Sequence, residues 1–221
     1  MFKNKRVIGI IPARGGSKRV INKNIKLIKN KPLIHWTITE SLKSKYIDEI
    51  ILSTDSQEIK NIAESYGLSI PFLRPYELAQ DNSPTIDTIL YILKKINHYD
   101  YLVLLQPTSP LRNSVDIEKC IRLCINKDCD SCVSITKSKN DKKLIFEKNK
   151  NGFLKKINHI SHNNGFKLNG ALYVSKISSL IKNKSFVTSK TIGYVMPKNR
   201  SIDIDTENDI KKFIESLEKN G

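Results

Sequence analysis

Residues 10–19 read Ile-Ile-Pro-Ala-Arg-Gly-Gly-Ser-Lys-Arg, so an apolar run beginning at Val7 ends in a loop of two glycines, a serine and three cations. Without a Cβ, Gly15 and Gly16 let backbone N–H groups come close to an anion, and Arg14, Lys18 and Arg19 supply countercharge. That combination suits phosphate. Its spacing is neither that of a Walker A loop nor that of the dinucleotide fingerprint. Taken alone, a glycine pair after a strand is equally an ordinary tight turn.

The stretch Ser201-Ile202-Asp203-Ile204-Asp205-Thr206 is the second chemical signal. In extended backbone, alternate residues share a face, which sets Asp203 and Asp205 on one side, roughly 7 Å apart at Cα, and the isoleucines on the other. Two such carboxylates can converge on a hard cation such as Mg²⁺. The competing reading is that Asp205 or Thr206 caps the final helix while Asp203 is a surface residue. Gln106-Pro107-Thr108-Ser109-Pro110-Leu111-Arg112 is the third signal. Prolines stiffen this loop, and the Gln106 amide offers both a donor and an acceptor. A polar run, Leu73-Arg74-Pro75-Tyr76-Glu77-Leu78-Ala79-Gln80-Asp81, completes the set.

These segments need strands to carry them. Val7–Pro12, Glu49–Ser53 and Tyr101–Leu105 read as buried strands. Between them, helical periodicity runs over 31–44 (through Leu33, Ile34, Ile38 and Leu42), from a capping box at 55–58 to Gly67, and from Ser83 as N-cap through Ile86, Ile89, Leu90 and Leu93. Another helix spans Ser114–Ile125, and a last one runs from Thr206 to about Lys219. Strand and helix at this cadence give an α/β chain with a parallel sheet covered on both faces, and ligands in such sheets lie beyond the carboxyl ends of the strands. Four polar loops fall on that edge: Arg14–Asn24, Ser53-Thr54-Asp55, Gln106–Arg112 and the run after Leu73. Periodicity is lost over about 134–167, where hairpins are expected to form a lid or dimerising arm, and the core resumes at Leu168–Val174.

With 221 residues the chain is one sizeable domain. Its net charge of +16, from 38 basic and 22 acidic residues, is mostly scattered lysine. That describes a solvated basic surface, and the absence of a clustered arginine stripe or an aromatic-rich basic motif argues against nucleic acid. No apolar run approaches the ~20 residues of a membrane span, and the basic start is not followed by a signal-peptide core, so the expected location is the cytoplasm. Cys120 and Cys124 share an apolar helix face with Ile117 and Ile121, and Cys132 sits in a strand. The four cysteines are read as small buried hydrophobes rather than zinc ligands.

Seven motifs in register carry a resemblance. They are I-I-P-A-R-G-G-S-K-R with Asn22-Lys23-Asn24 and Lys31-Pro32-Leu33, then S-T-D at 53–55, L-R-P-x-E-L-A-Q-D at 73–81, L-Q-P-T-S-P-L-R at 105–112, L-N-G-A-L-Y at 168–173 and S-I-D-I-D-T at 201–206. Over essentially its whole length the chain resembles the acylneuraminate cytidylyltransferases, or CMP-sialic acid synthetases. The resemblance implies a three-layer, Rossmann-like nucleotidyltransferase fold with a mostly parallel central sheet. It also implies a homodimer, a bacterial surface-glycan role, and transfer of CMP from CTP to a nine-carbon 2-keto sugar acid with loss of diphosphate.

Carried over by position, Ala13, Arg14, Gly15, Gly16, Ser17 and Lys18 would hold the nucleotide triphosphate, with Lys23 and Asn24 nearby. Arg74 and Thr85 would also bind nucleotide. Gln106, Lys167 and Asn169 would lie against the sugar, and Asp203 with Asp205 would hold Mg²⁺. Arg14, Lys23, Asp203 and Asp205 form the expected catalytic set. One departure touches the sugar: the family's frequent Arg-Gln-x-Leu-Pro stretch is replaced by 158–167, and Lys167 stands for another common arginine. Lysine offers a point charge, not a bidentate fork. Lys142, Lys143, Lys155 or His159 are the candidate substitutes, or the sugar is a diamino variant. The related eight-carbon acceptor, Kdo, is disfavoured by the Asn22–Asn24 insert.

Overall fold

A computed structural model describes residues 1–138, 145–157 and 165–220. Ten strands and six α-helices follow the chain within those residues. The strands are β1 (Val7–Pro12), β2 (Leu27–Ile28), β3 (Lys31–Pro32), β4 (Glu49–Ser53), β5 (Tyr101–Leu105), β6 (Ser131–Lys137), β7 (Ile145–Lys148), β8 (Leu154–Ile157), β9 (Phe166–Lys176) and β10 (Thr191–Val195). The helices are α1 (Leu33–Leu42), α2 (Gln57–Ser65), α3 (Thr85–Leu93), α4 (Ser114–Asn126), α5 (Ile177–Asn183) and α6 (Glu207–Asn220).

The main sheet runs β10-β6-β9-β5-β1-β4. β1 is parallel to both β4 and β5, and β10 is parallel to β6; β9 runs against its neighbours β5 and β6. Alternation along β1 builds three layers. Val7 and Ile11 join Ile34, Ile38, Ile59, Ile117 and Ile121 of α1, α2 and α4 on one face. Ile8 and Ile10 join Ile89 and Ile92 of α3 and Leu180 of α5 on the other. The mostly parallel α/β reading therefore holds. Cys120 and Cys124 lie on the buried face of α4, and burial pushes the Cys120 and Cys132 thiols up, keeping them protonated.

Local expectations fail in instructive places. The first helix starts at Leu33, because Lys31 and Pro32 instead pair with Leu27 and Ile28. Its Leu42 is 52% exposed, so the apolar stripe ends one turn early. The α2 cap is Ser56, whose hydroxyl accepts from the Ile59 N–H, rather than a box from Asp55 to Glu58. Ser83 does not cap α3: its hydroxyl donates to the Glu77 carbonyl, and Pro84 holds the cap position. Buried Thr88 and Ile92 replace Leu90 and Leu93 as the centre of the α3 inner face.

The 134–167 segment contains a β7–β8 hairpin as expected, but β6 runs on to Lys137 and β9 begins at Phe166. These strands thus take up both ends of the segment, and β7 pairs with β9 as well as with β8. Phe146 and Leu154 of the hairpin bury against Val133 and Ile135, so the arm is rooted in the sheet. Lys142, Lys143, His159 and His162 lie outside the described residues, and Lys155 is exposed on β8.

Candidate active site

The loops after β1 and β5, the 74–85 segment with the start of α3, and the run into α6 enclose one cleft of about 560 Å³. Its walls include Arg14, Ser17, Lys18, Lys23, Asn24, Arg74, Thr85, Gln106 and Asp205 from the expected set, together with Arg19 and Asp81. Five cations thus face two carboxylates, which is an anion site.

Backbone positioning starts with the glycine loop. Ala13 is fully buried, donates its N–H to the Ser53 carbonyl at 2.9 Å and stays off the cleft wall. The Gly15 N–H donates to Asp55 Oδ1 at 2.9 Å, so it is spent within the protein. Gly16 sits at φ +57°, where a side chain is strained. Among the described residues, the N–H groups of Gly16, Ser17 and Lys18 donate to no protein acceptor and remain for a ligand. Buried Asn24 donates to the Arg14 carbonyl at 2.8 Å and so fixes the loop from below.

The cations have defined partners. Arg14 donates to the Ala79 carbonyl and to Asp81, and Lys18 meets the same Asp81 carboxylate. Asp205 bridges Arg19 at 2.8 Å and Lys23 at 3.2 Å, while Lys23 also donates to the Ile204 carbonyl at 2.8 Å. Arg74 differs. It is 93% buried by its 7% exposure, donates to the Ser53 hydroxyl at 3.1 Å and the Ser53 carbonyl at 2.6 Å, and has no ion pair among the described residues. Desolvation lowers its pKa to about 10, partly offset by the Asp55 charge.

The S-T-D motif thereby gains a role that local pattern reading missed. Ser53 holds Arg74, Thr54 accepts from the Ser56 N–H, and Asp55 pins Gly15. Arg112 was missed as well. Fully buried, it donates to the carbonyls of Gln106 and Ala171 and to the Thr37 hydroxyl, tying the Gln106 loop to β9. The Gln106 side chain keeps its amide free beside the cleft.

Ser201–Thr206 is no strand, but the alternation from Ile202 onward survives: Ile204 is fully buried, and its N–H donates to the Thr108 carbonyl at 2.7 Å. Thr206 is the residue that caps α6, exchanging bonds with Asp209, which leaves the Asp205 carboxylate for the cleft. Asp203 does not line the cleft. Its Oδ2 lies 3.9 Å from where a Cβ on Gly170 would stand, an ordinary contact, so it is the φ of +78° rather than space that calls for this motif glycine beside the carboxylate. Desolvation raises the Asp203 pKa and the Asp205 charge adds to it, against a hydrogen bond from Thr108 and the charge of Lys23.

Two expected sugar residues also lie off the cleft. Lys167 is exposed on β9 opposite Thr136. Asn169 is buried and engaged with Ser134, Ser201 and Met196. The described residues hold no group of three His, Cys, Asp or Glu side chains shaped for a metal. Asp203 and Asp205 do fit a Mg²⁺ that also draws ligands from substrate phosphates, because the Asp205 charge helps to raise the Asp203 pKa and a cation between them would offset it.

Comparison with known proteins agrees with this architecture. A family model described as Cytidylyltransferase matches residues 8–220. CMP-N,N'-diacetyllegionaminic acid synthase of Legionella pneumophila is 36% identical, over 91% of each chain. N-acylneuraminate cytidylyltransferase of Escherichia coli O18:K1:H7 is 33% identical over 97% of this chain, which spans only 52% of that longer protein. In fold, the chain is similar to CMP:2-keto-3-deoxy-manno-octonic acid synthetase complexed with CTP, with TM-score 0.80, 15% identity and 98% and 100% coverage. A nucleotide-sized anion cleft on a three-layer sheet and a match over nearly every residue lead to one conclusion: the chain belongs to the cytidylyltransferase family, whose members are nucleotidyltransferases.

Proposed function

We propose that this protein transfers CMP from CTP to a nonulosonic acid of the sialic type, releasing diphosphate, as one cytidylyltransferase domain over residues 1–221 that feeds bacterial surface glycan synthesis. The observation that carries the reading is Arg74: a buried guanidinium on a cleft wall, with no carboxylate within ion-pair distance among the described residues and only the more distant Asp55 charge to offset it, calls for an anionic ligand.

Displacement at the α-phosphorus by the sugar's anomeric hydroxyl demands alignment and charge neutralisation more than covalent help. Arg14, Lys18 and the free N–H groups of Gly16 to Lys18 hold the triphosphate. Lys23, linked to Asp205, faces the charge that develops on the leaving diphosphate. Thr85 and Arg74 act on the nucleotide, and Gln106 on the sugar. One of the pair Asp203 and Asp205 would take the hydroxyl proton. Mg²⁺ held by Asp203 and Asp205 would supply electrophilic charge to phosphate oxygens.

The sugar proposed first is a diacetylated diamino acid, on the strength of the Legionella relative and of the missing Arg-Gln-x-Leu-Pro stretch. No described helix is long and apolar enough to cross a membrane. The dependence on CTP assigns the reaction to the cytoplasm. A homodimer through the arm at about 134–167 belongs to the same reading. Mass spectrometry of the product from CTP, Mg²⁺ and N,N'-diacetyllegionaminic acid tests it: a CMP-sugar supports the proposal, while CTP consumption with no sugar adduct refutes it. A strictly monomeric mass in solution refutes the dimer.

A further inference from the structure

Asp81 belongs to none of the expected roles, yet it stands in the cleft between two cations of the glycine loop. Its Oδ1 lies 2.5 Å from Arg14 Nη2 and its Oδ2 lies 2.5 Å from Lys18 Nζ. A carboxylate spanning an arginine and a lysine with its two oxygens makes the contacts that two phosphate oxygens make. Arg14 is additionally held by the Ala79 carbonyl at 3.1 Å, so its guanidinium keeps its place when Asp81 lets go. Among the described residues Asp81 makes no other hydrogen bond, and its side chain is 43% exposed, so the fold does not depend on it. Both cations hold its carboxyl below the usual range, which keeps it ionised throughout the neutral region.

We propose that Asp81 is an internal competitor of the polyphosphate: it occupies Arg14 and Lys18 when the cleft is free and takes them back as diphosphate departs. This rests on the reading of the cleft as a triphosphate site. Inorganic diphosphate, lacking the base and sugar contacts of CTP, depends most on these two cations, so the competing charge acts chiefly on product retention. A unit charge a few ångströms from phosphate oxygens in a solvated cleft is worth about tenfold in affinity. If Asp81 merely props the loop in shape, its removal changes affinity in the opposite direction.

The test is calorimetric binding of diphosphate and of CTP to the wild-type protein and to Asp81→Asn, Asp81→Ser and Asp81→Glu, at one ionic strength and Mg²⁺ concentration. The two neutral variants are expected to bind diphosphate about tenfold more tightly than wild type, with a gap that narrows as salt is raised. Asp81→Glu, which retains the charge, is expected within twofold of wild type. Neutral variants that bind diphosphate equally or more weakly overturn the competitor role while leaving the CTP site standing. A wild-type protein that binds neither CTP nor diphosphate overturns the site reading, and this inference with it.

Discussion

The guanidinium of Arg74 donates to the carbonyl oxygen of Ser53 at 2.6 Å and to its hydroxyl at 3.1 Å, so the last residue of β4 aims a buried cation at the cleft. Two bonds to one residue fix the direction of the fork and leave its charge without a direct ion pair among the described residues. Arg74→Lys keeps the charge but loses the second bond, and the freed Ser53 groups stay buried. The expected outcome is a ten- to hundredfold rise in the CTP KM, on the order of 1.4–3 kcal/mol, with a smaller change in kcat. Steady-state kinetics at varied CTP checks this, and an unchanged KM contradicts it.

Asp205→Asn removes a charge while keeping shape. Because Thr206, not Asp205, caps α6, the fold is expected to persist with an unchanged circular dichroism spectrum, while turnover falls by about a thousandfold or more. Retained turnover with a normal Mg²⁺ dependence contradicts the metal assignment.

Asp203 is exposed as a residue, but packing around its carboxyl and the Asp205 charge raise its pKa, so it should be a small stability liability at neutral pH. Its carboxyl pKa is raised in the fold, so the native state binds more protons than the unfolded chain as pH climbs past the ordinary carboxylate value, and stability falls across that window. Asn has no charge to desolvate. Asp203→Asn is therefore expected to lose activity yet melt at a higher temperature than wild type at pH 7, with the difference vanishing below the ordinary Asp pKa. Thermal melts across pH 3–8 measure it, and a lower melting temperature at pH 7 contradicts the argument.

Arg200 forms a bidentate pair with Asp116, at 3.0 Å through Nε and 2.8 Å through Nη2, and Tyr194 donates to the same carboxylate at 2.8 Å. Asp116 is fully buried, at the first turn of α4, so this clamp fastens the chain three residues ahead of Asp203. Arg200→Ala leaves the carboxylate buried without its cation, and a loss of about 3 kcal/mol is expected in urea unfolding. A loss below 1 kcal/mol contradicts the view of the pair as buried.

Much of this was legible in the chain. Strands Val7–Pro12, Glu49–Ser53 and Tyr101–Leu105 stand where their apolar runs put them; the loops that leave the first and third line one cleft, and Ser53 at the end of the second holds Arg74 against it. The failures share a cause. Asp55 looks like a local cap because only near neighbours are visible in a sequence, whereas its partner Gly15 is 40 residues away. Asn169, placed at the sugar by the resemblance alone, is likewise held by distant partners, Ser134 and Ser201. Arg112 reads as the tail of a loop motif, and only the strand β9 laid antiparallel beside β5 reveals it as a buried tie. Patterns report period and capping; long-range hydrogen bonds decide which polar residues are spent inside the protein.

The central claim is tested most directly by diphosphate release from CTP and Mg²⁺, with N-acetylneuraminic, N,N'-diacetyllegionaminic, pseudaminic and Kdo acceptors run in parallel. The account predicts release with one of the first three and none with Kdo. Release with Kdo alone, or with no acceptor of the four while CTP binds, contradicts it.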